Sequence, residues 1–62
     1  MAKVIYRGVV VDAVERRGQQ VLVRSTNPAD AQKVGLAFKE MRGGVAIFEA
    51  WASERELVAH DT

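Results

Sequence analysis

Residues 27–44, NPADAQKVGLAFKEMRGG, carry the signals that decide the fold. Asn27 is a residue type that caps the first turn of a helix, and Pro28 suits the first helical position because the N–H group that it lacks would be unpaired there. Asp30 places a negative charge near the positive end of the helix dipole. Because glycines such as those at 43–44 favour the left-handed backbone that ends a helix, we predict one helix across the whole stretch.

The predicted helix is amphipathic. A projection of about 100° per residue gathers an apolar stripe that we expect to cover a sheet; it consists of Ala31, Val34, Ala37, Phe38 and Met41. Gly35 and Leu36 fall outside this stripe. We therefore expect Leu36 on the exposed back of the helix, where it either has no special role or contacts another chain.

Residues 4–26 have the composition of a β-hairpin, because two β-branched runs flank a glycine-containing turn at 16–18. With Glu15 opposite Gln19, and hence Ala13 opposite Val21, alternate residues form an apolar core face. That face would contain Val9, Val11, Ala13, Val21 and Val23. Val4 and Tyr6 have the opposite alternation. A bulge at Gly8 would bring them to the core face, and without the bulge they lie on the outer face.

Residues 45–51 are predicted to form a third strand. The spacing of Ser53 and Glu56 fits a capping box, which would open a short helix, whereas a turn at 53–54 would fold residues 55–60 back as a fourth strand. We prefer the strand. The predicted fold class is α+β, a single domain over residues 1–62 with an antiparallel sheet of three to four strands and one helix on one face, in the order ββαβ(β); the alternative order is ββαβα.

One helix covers only one face of such a sheet, so the second face is left exposed. Large apolar side chains mixed with charged ones on an exposed face are typical of a protein interface. We predict a partner-binding site made of Trp51, Ile47, Val58, Leu22, Arg24, Glu49 and Glu56, with Leu36 as a separate contact. If the third strand is one residue out of phase, Trp51 belongs instead to the core and Phe48 points outward.

Cations at the tip and along the hairpin indicate an alternative function. Arg16 and Arg17 lie at the predicted turn, and Lys3 and Arg7 lie along the first strand. A two-stranded ribbon that carries arginines can enter a nucleic-acid groove. The alternative is therefore a small DNA- or RNA-binding protein, although the net charge of +1 is close to neutral.

The composition argues against several chemistries. The chain has no cysteine and one histidine, His60, so we predict no metal site, no cofactor and no enzymatic activity, and no small-molecule site is evident. Lys3 and Arg7 interrupt the N-terminal apolar residues, and no run approaches the roughly 20 residues of a membrane span. We therefore expect a cytoplasmic protein that does not act at a membrane.

In size and predicted element order the chain resembles several small phage-encoded proteins that inhibit bacterial defence complexes, the anti-CRISPR proteins among them. The resemblance is one of size and layout and assigns no role to any residue. It implies an inhibitor or regulator from a phage or mobile element that occludes the surface of a larger complex. Together with the exposed face, it leads us to expect a non-enzymatic protein-binding module that associates with itself, as a homodimer, or docks on a larger protein partner, or does both.

Overall fold

A computed structural model describes residues 2–60 and shows a six-stranded antiparallel sheet with one short helix. The strands are β1 (Ala2–Tyr6), β2 (Val9–Arg17), β3 (Gln20–Ser25), β4 (Ala37–Arg42), β5 (Val45–Ser53) and β6 (Leu57–Ala59); α1 (Pro28–Val34) follows β3, and a 3₁₀ turn (Glu54–Glu56) precedes β6. The order in the sheet is β4-β5-β3-β2-β1-β6. The predicted sheet of three to four strands, in the order ββαβ(β) or ββαβα, is therefore wrong.

The start of the helix is confirmed. The side-chain Oδ1 of Asn27 accepts hydrogen bonds from the backbone N–H groups of Ala29 and Asp30, at 2.9 and 3.1 Å. Pro28 occupies the first helical position. These two residues satisfy or remove the amide donors that a helix start leaves unpaired.

The end of the helix is not where the sequence analysis placed it. Gly35 has a φ of +80° and ends α1 after seven residues, and the N–H of Leu36 donates a 2.8 Å hydrogen bond to the carbonyl of Ala31. This is the Schellman motif, in which the residue after the glycine turns back onto the last helical turn. Leu36 is therefore 7% exposed and in the core, so its predicted place on an exposed helix surface is wrong.

The second half of the predicted helix is strand β4. The glycines at 43–44 both have positive φ, +58° and +79°, and Arg42 pairs with Val45 across them. Two central residues with positive φ make the two-residue turn whose twist matches a β-hairpin. The glycine pair therefore joins two strands rather than ending a helix, and Phe38 and Met41 do not belong to a helical stripe.

Residues 4–26 form three strands, not two. Tyr6 pairs with Val9, so Arg7 and Gly8 are the turn of a first hairpin, and the predicted bulge at Gly8 is wrong. In the second hairpin Ala13 pairs with Val23, two residues from the predicted register; after an irregularity at Val14 the difference is three residues, and the turn lies at residues 18–19 instead of 16–18. A shift of two residues preserves the alternation of side chains. The predicted core face is therefore confirmed: Val9, Val11, Val21 and Val23 are buried, and Ala13 packs against them.

The short link between β5 and β6 requires the sheet to curl. Three strands separate β5 from β6, which in a flat sheet would be about 19 Å of strand spacing. Ser53 ends β5 and Leu57 begins β6. These residues are four positions apart, and even a fully extended chain of that length spans at most about 14 Å. The curled sheet encloses a core that α1 closes against β3 and β5. Its buried members are Tyr6, Val9, Val11, Val21, Val23, Ala31, Val34, Leu36 and Ala52.

Strand β5 has the phase that the sequence analysis preferred. Ala52 is buried in the core, whereas Trp51 is 42% exposed on the other side of the strand. The alternative with a core Trp51 is therefore wrong. After β5 both readings of the tail hold in part, because the Ser53 hydroxyl caps a 3₁₀ turn and strand β6 follows, paired with β1 rather than with β5.

Candidate functional site

The candidate site lies on the side of the sheet that faces away from α1, which we call the outer face. It is defined here by Asp12 on β2, Leu22 and Arg24 on β3, and Glu49 and Trp51 on β5. Leu22 pairs directly with Trp51, Arg24 with Glu49, and Asp12 with Arg24. The structure thus brings together four of the residues predicted to bind a partner, in two pairs whose members are 25 and 29 residues apart in the chain.

Trp51 is the largest apolar group on the outer face. Its residue surface is 42% exposed, and the half-buried Leu22 lies beside it. The guanidinium carbon of Arg17 lies 5.1 Å from the centroid of the indole ring, within the range of a cation–π contact. Arg17 is in turn held by Glu15, 3.2 Å from its Nη2. The indole is therefore oriented by its neighbours while much of its surface stays open.

Glu49 is held between two cations. The Nε of Arg24 donates a 2.6 Å hydrogen bond to Oε2, and the Nζ of Lys39 lies 3.1 Å from Oε1, so both carboxylate oxygens have a positive partner. Burial raises the pKa of the Glu49 carboxyl, but the hydrogen bonds and charges of Arg24 and Lys39 outweigh burial and hold the pKa below the usual glutamate value. The carboxylate is therefore a fixed negative charge beside Trp51.

Charges of alternating sign cross the outer face in one row. Lys3 on β1 pairs with Asp12, at 2.9 Å between Nζ and Oδ1, and Asp12 pairs in register with Arg24. The row continues through Glu49 to Lys39 on β4. Because neighbouring charges have opposite sign, the row produces no extended field of one sign. A row of this kind can fix the orientation of a bound partner, but it does not attract a highly charged one.

The other residues of the predicted binding site lie elsewhere. Ile47 is on the outer side of β5 but only 7% exposed, and Leu36 is in the core. Glu56 is in the 3₁₀ turn, where its Oε1 accepts from Arg7 at 3.3 Å. Val58 is 61% exposed on the edge strand β6, which pairs with β1 and not with β5. Sequence alternation assigned Ile47 and Val58 to a side of a strand, but it contained no information on the order of the strands.

The cations of the predicted nucleic-acid site are each paired with a carboxylate. Lys3 contacts Asp12, Arg7 contacts Glu56, Arg16 contacts Glu54, and Arg17 contacts Glu15. A phosphate would have to compete with these internal partners at every one of the positions. The hairpin tip therefore does not form the uncompensated basic surface that nucleic-acid binding usually needs.

Two further surfaces were not predicted from the sequence. An open, mainly apolar cleft of about 540 Å³ lies between β1, β2 and β6; Val4, Ala13, Val21 and Leu57 line it, with the contacting pair Arg16 and Glu54. The second surface is on β4, where Phe38 and Met41 are 58% and 59% exposed. The glycine pair at 43–44 between two β-compatible runs was the signal for this hairpin.

Comparison with known proteins does not assign a function: the chain matches no family model, no curated protein and no solved structure at a significant level. Over residues 2–60, no three His, Cys, Asp or Glu side chains come together as a metal site. Within the same residues, the structure contains no helix with the length and apolar character needed to cross a membrane.

Proposed function

We propose that this chain is a non-enzymatic protein-binding module that docks on a partner protein through Trp51 and Leu22 of the outer face. The observation that carries the proposal is the position of Trp51, which is 42% exposed on a strand with a neighbour on each side. Tryptophan is among the residues that contribute most to binding when a partner covers them.

The surroundings of Trp51 reduce the entropy that binding would remove. Trp51 pairs with Leu22 on β3, and β4 pairs with β5 as far as Glu49, two residues away, so the backbone at Trp51 is held before any partner arrives. Arg17 lies over the indole, and Arg24 and Glu49 hold each other nearby. Side chains that are already ordered lose less freedom on association. The partner surface that fits is an apolar pocket for the indole, rimmed by polar groups.

The mechanism follows from contact alone. The outer face covers the part of the partner's surface that it contacts, and no covalent bond is made or broken. The inhibitor role implied by the resemblance to small phage-encoded proteins rested on the ββαβ(β) layout. Since the six-stranded sheet replaces that layout, the proposal is restricted to protein binding.

The test begins with capture of partners by the tagged chain and by two variants. Trp51→Ala removes the anchor, and Val58→Ala is the control because Val58 is also exposed but lies on β6, which pairs with β1 and not with β3 or β5. A protein retained by the native chain and by Val58→Ala, but lost with Trp51→Ala, is then purified for titration. We expect Trp51→Ala to weaken its affinity about 30-fold or more, the effect of losing an interface hot spot.

The titration has a built-in reporter because Trp51 is the single tryptophan of the chain. Its fluorescence emission is expected to shift to shorter wavelength as the partner covers the indole. Equal affinity for the native chain and for a Trp51→Ala variant that keeps its circular dichroism spectrum would contradict the proposal. Salt-sensitive binding to DNA or RNA that is lost on Arg16→Ala would favour the alternative function instead.

A further inference from the structure

Strand β4 is an edge of the sheet. It is first in the strand order and pairs on one side only, with β5, among residues 2–60. The other side of an edge strand presents backbone N–H and C=O groups that another strand can pair with. Two large apolar side chains, Phe38 and Met41, are more than half exposed on this same strand.

A bulge in β4 places those two side chains on the same face. Phe38 pairs with Phe48 and Met41 with Ala46, and the register skips Lys39 between them. Phe48 and Ala46 are two residues apart, so they point to one face of β5. In a regular strand, residues three positions apart point to opposite faces. The extra residue at the bulge therefore brings Phe38 and Met41 to the inner face together.

Because of the bulge, the order in which the side chains of β4 face outward and inward is the same from either end of the strand. Lys39 reaches Glu49 on the outer face, and Glu40 pairs with the outward-facing Ile47. On either side of residues 39 and 40 along the strand lie Phe38 and Met41, and both are on the inner face. The end residues, 37 and 42, pair with residues 49 and 45 on the outer side of β5. The sequence of faces is thus outer, inner, outer, outer, inner, outer.

We propose that β4 pairs antiparallel with β4 of a second copy of this chain, about a two-fold axis that passes between Lys39 and Glu40 perpendicular to the sheet. Such an axis keeps each side chain on its own face, as the palindromic order of faces requires. The two sheets then join into one continuous sheet of twice six strands. The inference is independent of the partner proposed for Trp51.

The facing residues are complementary in this register. Phe38 lies opposite the partner's Met41, and the symmetry repeats the pair, so the exposed apolar groups of both copies cover one another. Lys39, which also contacts Glu49 of its own chain, lies opposite the partner's Glu40, which also contacts Arg42 of its own chain; the new pairs, again two, thus extend the existing ion pairs from one copy to the other. Cross-strand pairs of both kinds stabilise antiparallel sheets. An unrelated extended peptide would gain backbone hydrogen bonds but not this matched set, which is why a second copy is the occupant.

The first measurement is the mass in solution over a range of concentrations, by sedimentation equilibrium. The native chain is expected to reach twice its 6.8 kDa. Lys39→Glu places two negative charges opposite each other at both symmetry-related positions, and we expect the dimer to weaken about tenfold or more. Lys33→Glu, the same charge change on α1, is the control for net charge, and Lys39→Gln is the control for the lost contact with Glu49; both are expected to weaken the dimer less than Lys39→Glu does.

The decisive variant is the charge swap, Lys39→Glu together with Glu40→Lys. Opposite charges then face each other again only if residue 39 of one copy meets residue 40 of the other, so the dimer is expected to recover. A native chain that stays monomeric at millimolar concentration overturns the proposal, as does a dimer insensitive to Lys39→Glu or a swap that fails to restore it. Circular dichroism checks that each variant keeps its fold.

A second readout does not depend on charge. In a mixture of isotope-labelled and unlabelled chains, filtered nuclear Overhauser spectra detect only contacts between copies. Contacts between the ring of Phe38 and the methyl group of the partner's Met41 are expected. A dimer whose intermolecular contacts lie elsewhere overturns the proposed register.

Discussion

Arg24 and Glu49 lie directly opposite each other on β3 and β5, and their side chains are 21% and 7% exposed. In every other ion pair formed within residues 2–60 that does not include Glu49, at least one side chain is more than a third exposed. Exposed pairs contribute little, because solvent screens them and both side chains lose freedom. The Arg24–Glu49 pair is therefore the ion pair whose removal is expected to matter for stability.

The first prediction concerns acid. Because the folded-state pKa of Glu49 lies below its unfolded value, the unfolded chain binds more protons at low pH, and the stabilisation is present above the unfolded pKa and lost as pH falls through the folded one. Urea unfolding from about pH 7 downward should show stability declining below about pH 5, with a smaller decline in Glu49→Gln. Glu40→Gln, at an exposed pair with Arg42, is the control. An unchanged pH profile in Glu49→Gln would contradict the prediction.

The second prediction concerns the pair as a unit. Arg24→Met leaves the Glu49 carboxylate largely buried with Lys39 as its remaining cation, and we expect a loss of about 2–3 kcal/mol in the free energy of unfolding. Adding Glu49→Leu removes the uncompensated charge and should recover most of that loss. Chemical denaturation of the two single variants and the double variant gives the coupling. Additive effects would show that the two residues do not act together.

The third prediction distinguishes a core Leu36 from an exposed one. Leu36→Ala should cost about 2–4 kcal/mol, because it leaves a cavity beside Ala31 and Val34. Val58→Ala, at a residue that is 61% exposed, should change stability by no more than about 0.5 kcal/mol. Urea unfolding of both variants measures the difference. Similar, small effects for both would place Leu36 on the surface.

The fourth prediction concerns the end of α1. A β-carbon added at Gly35 would meet no atom within 4 Å, so Gly35→Ala has only a conformational cost, which we expect to be about 1 kcal/mol. Gly35→Asn should cost less, because asparagine tolerates the left-handed backbone better than alanine does. Thermal and urea unfolding compare the two. An alanine variant as stable as the native chain would show that the positive φ is not required there.

Local chemistry in the sequence was sufficient for the start of the helix and for the faces of the strands. The Asn27-Pro28 pair acts within a single turn, and the alternation around Val9, Val11, Val21 and Val23 survives a register error of two residues. The same alternation placed Trp51 and Glu49 on the outer side of β5. These features depend on residues that are neighbours along the chain, so they could be predicted from the sequence.

Two glycine signals each fit two structures. Gly35 followed by an apolar residue fits a Schellman motif as well as an interior helix position, and a helix across residues 27–44 needs the interior position, which exposes Leu36. The glycines at 43–44 likewise fit a hairpin turn as well as a helix end. A prediction without the hairpin turn lacks β4, and with it the exposed side chains of Phe38 and Met41.

The order of the strands depends on contacts that no local pattern contains. Leu22 and Trp51 meet because β3 pairs with β5, and Val58 is not paired with either strand because β6 pairs with β1. The alternation of a strand says which side chains share its face, but it does not say which strand is its neighbour. The sequence therefore assigned Leu22, Arg24, Glu49 and Trp51 to the correct side of their strands, but it could not group them, and it misplaced Leu36 and Glu56.

The pairing of β1 with β6 joins Ile5 to Val58 across almost the whole described chain. Contacts between residues so far apart in sequence form slowly, since a long loop must close before they contribute. During synthesis, the edge of β1 that faces away from β2 stays unpaired until Leu57–Ala59 has left the ribosome. We therefore expect the two early hairpins to form first and the curled sheet to close last, in a single late step that sets the folding rate.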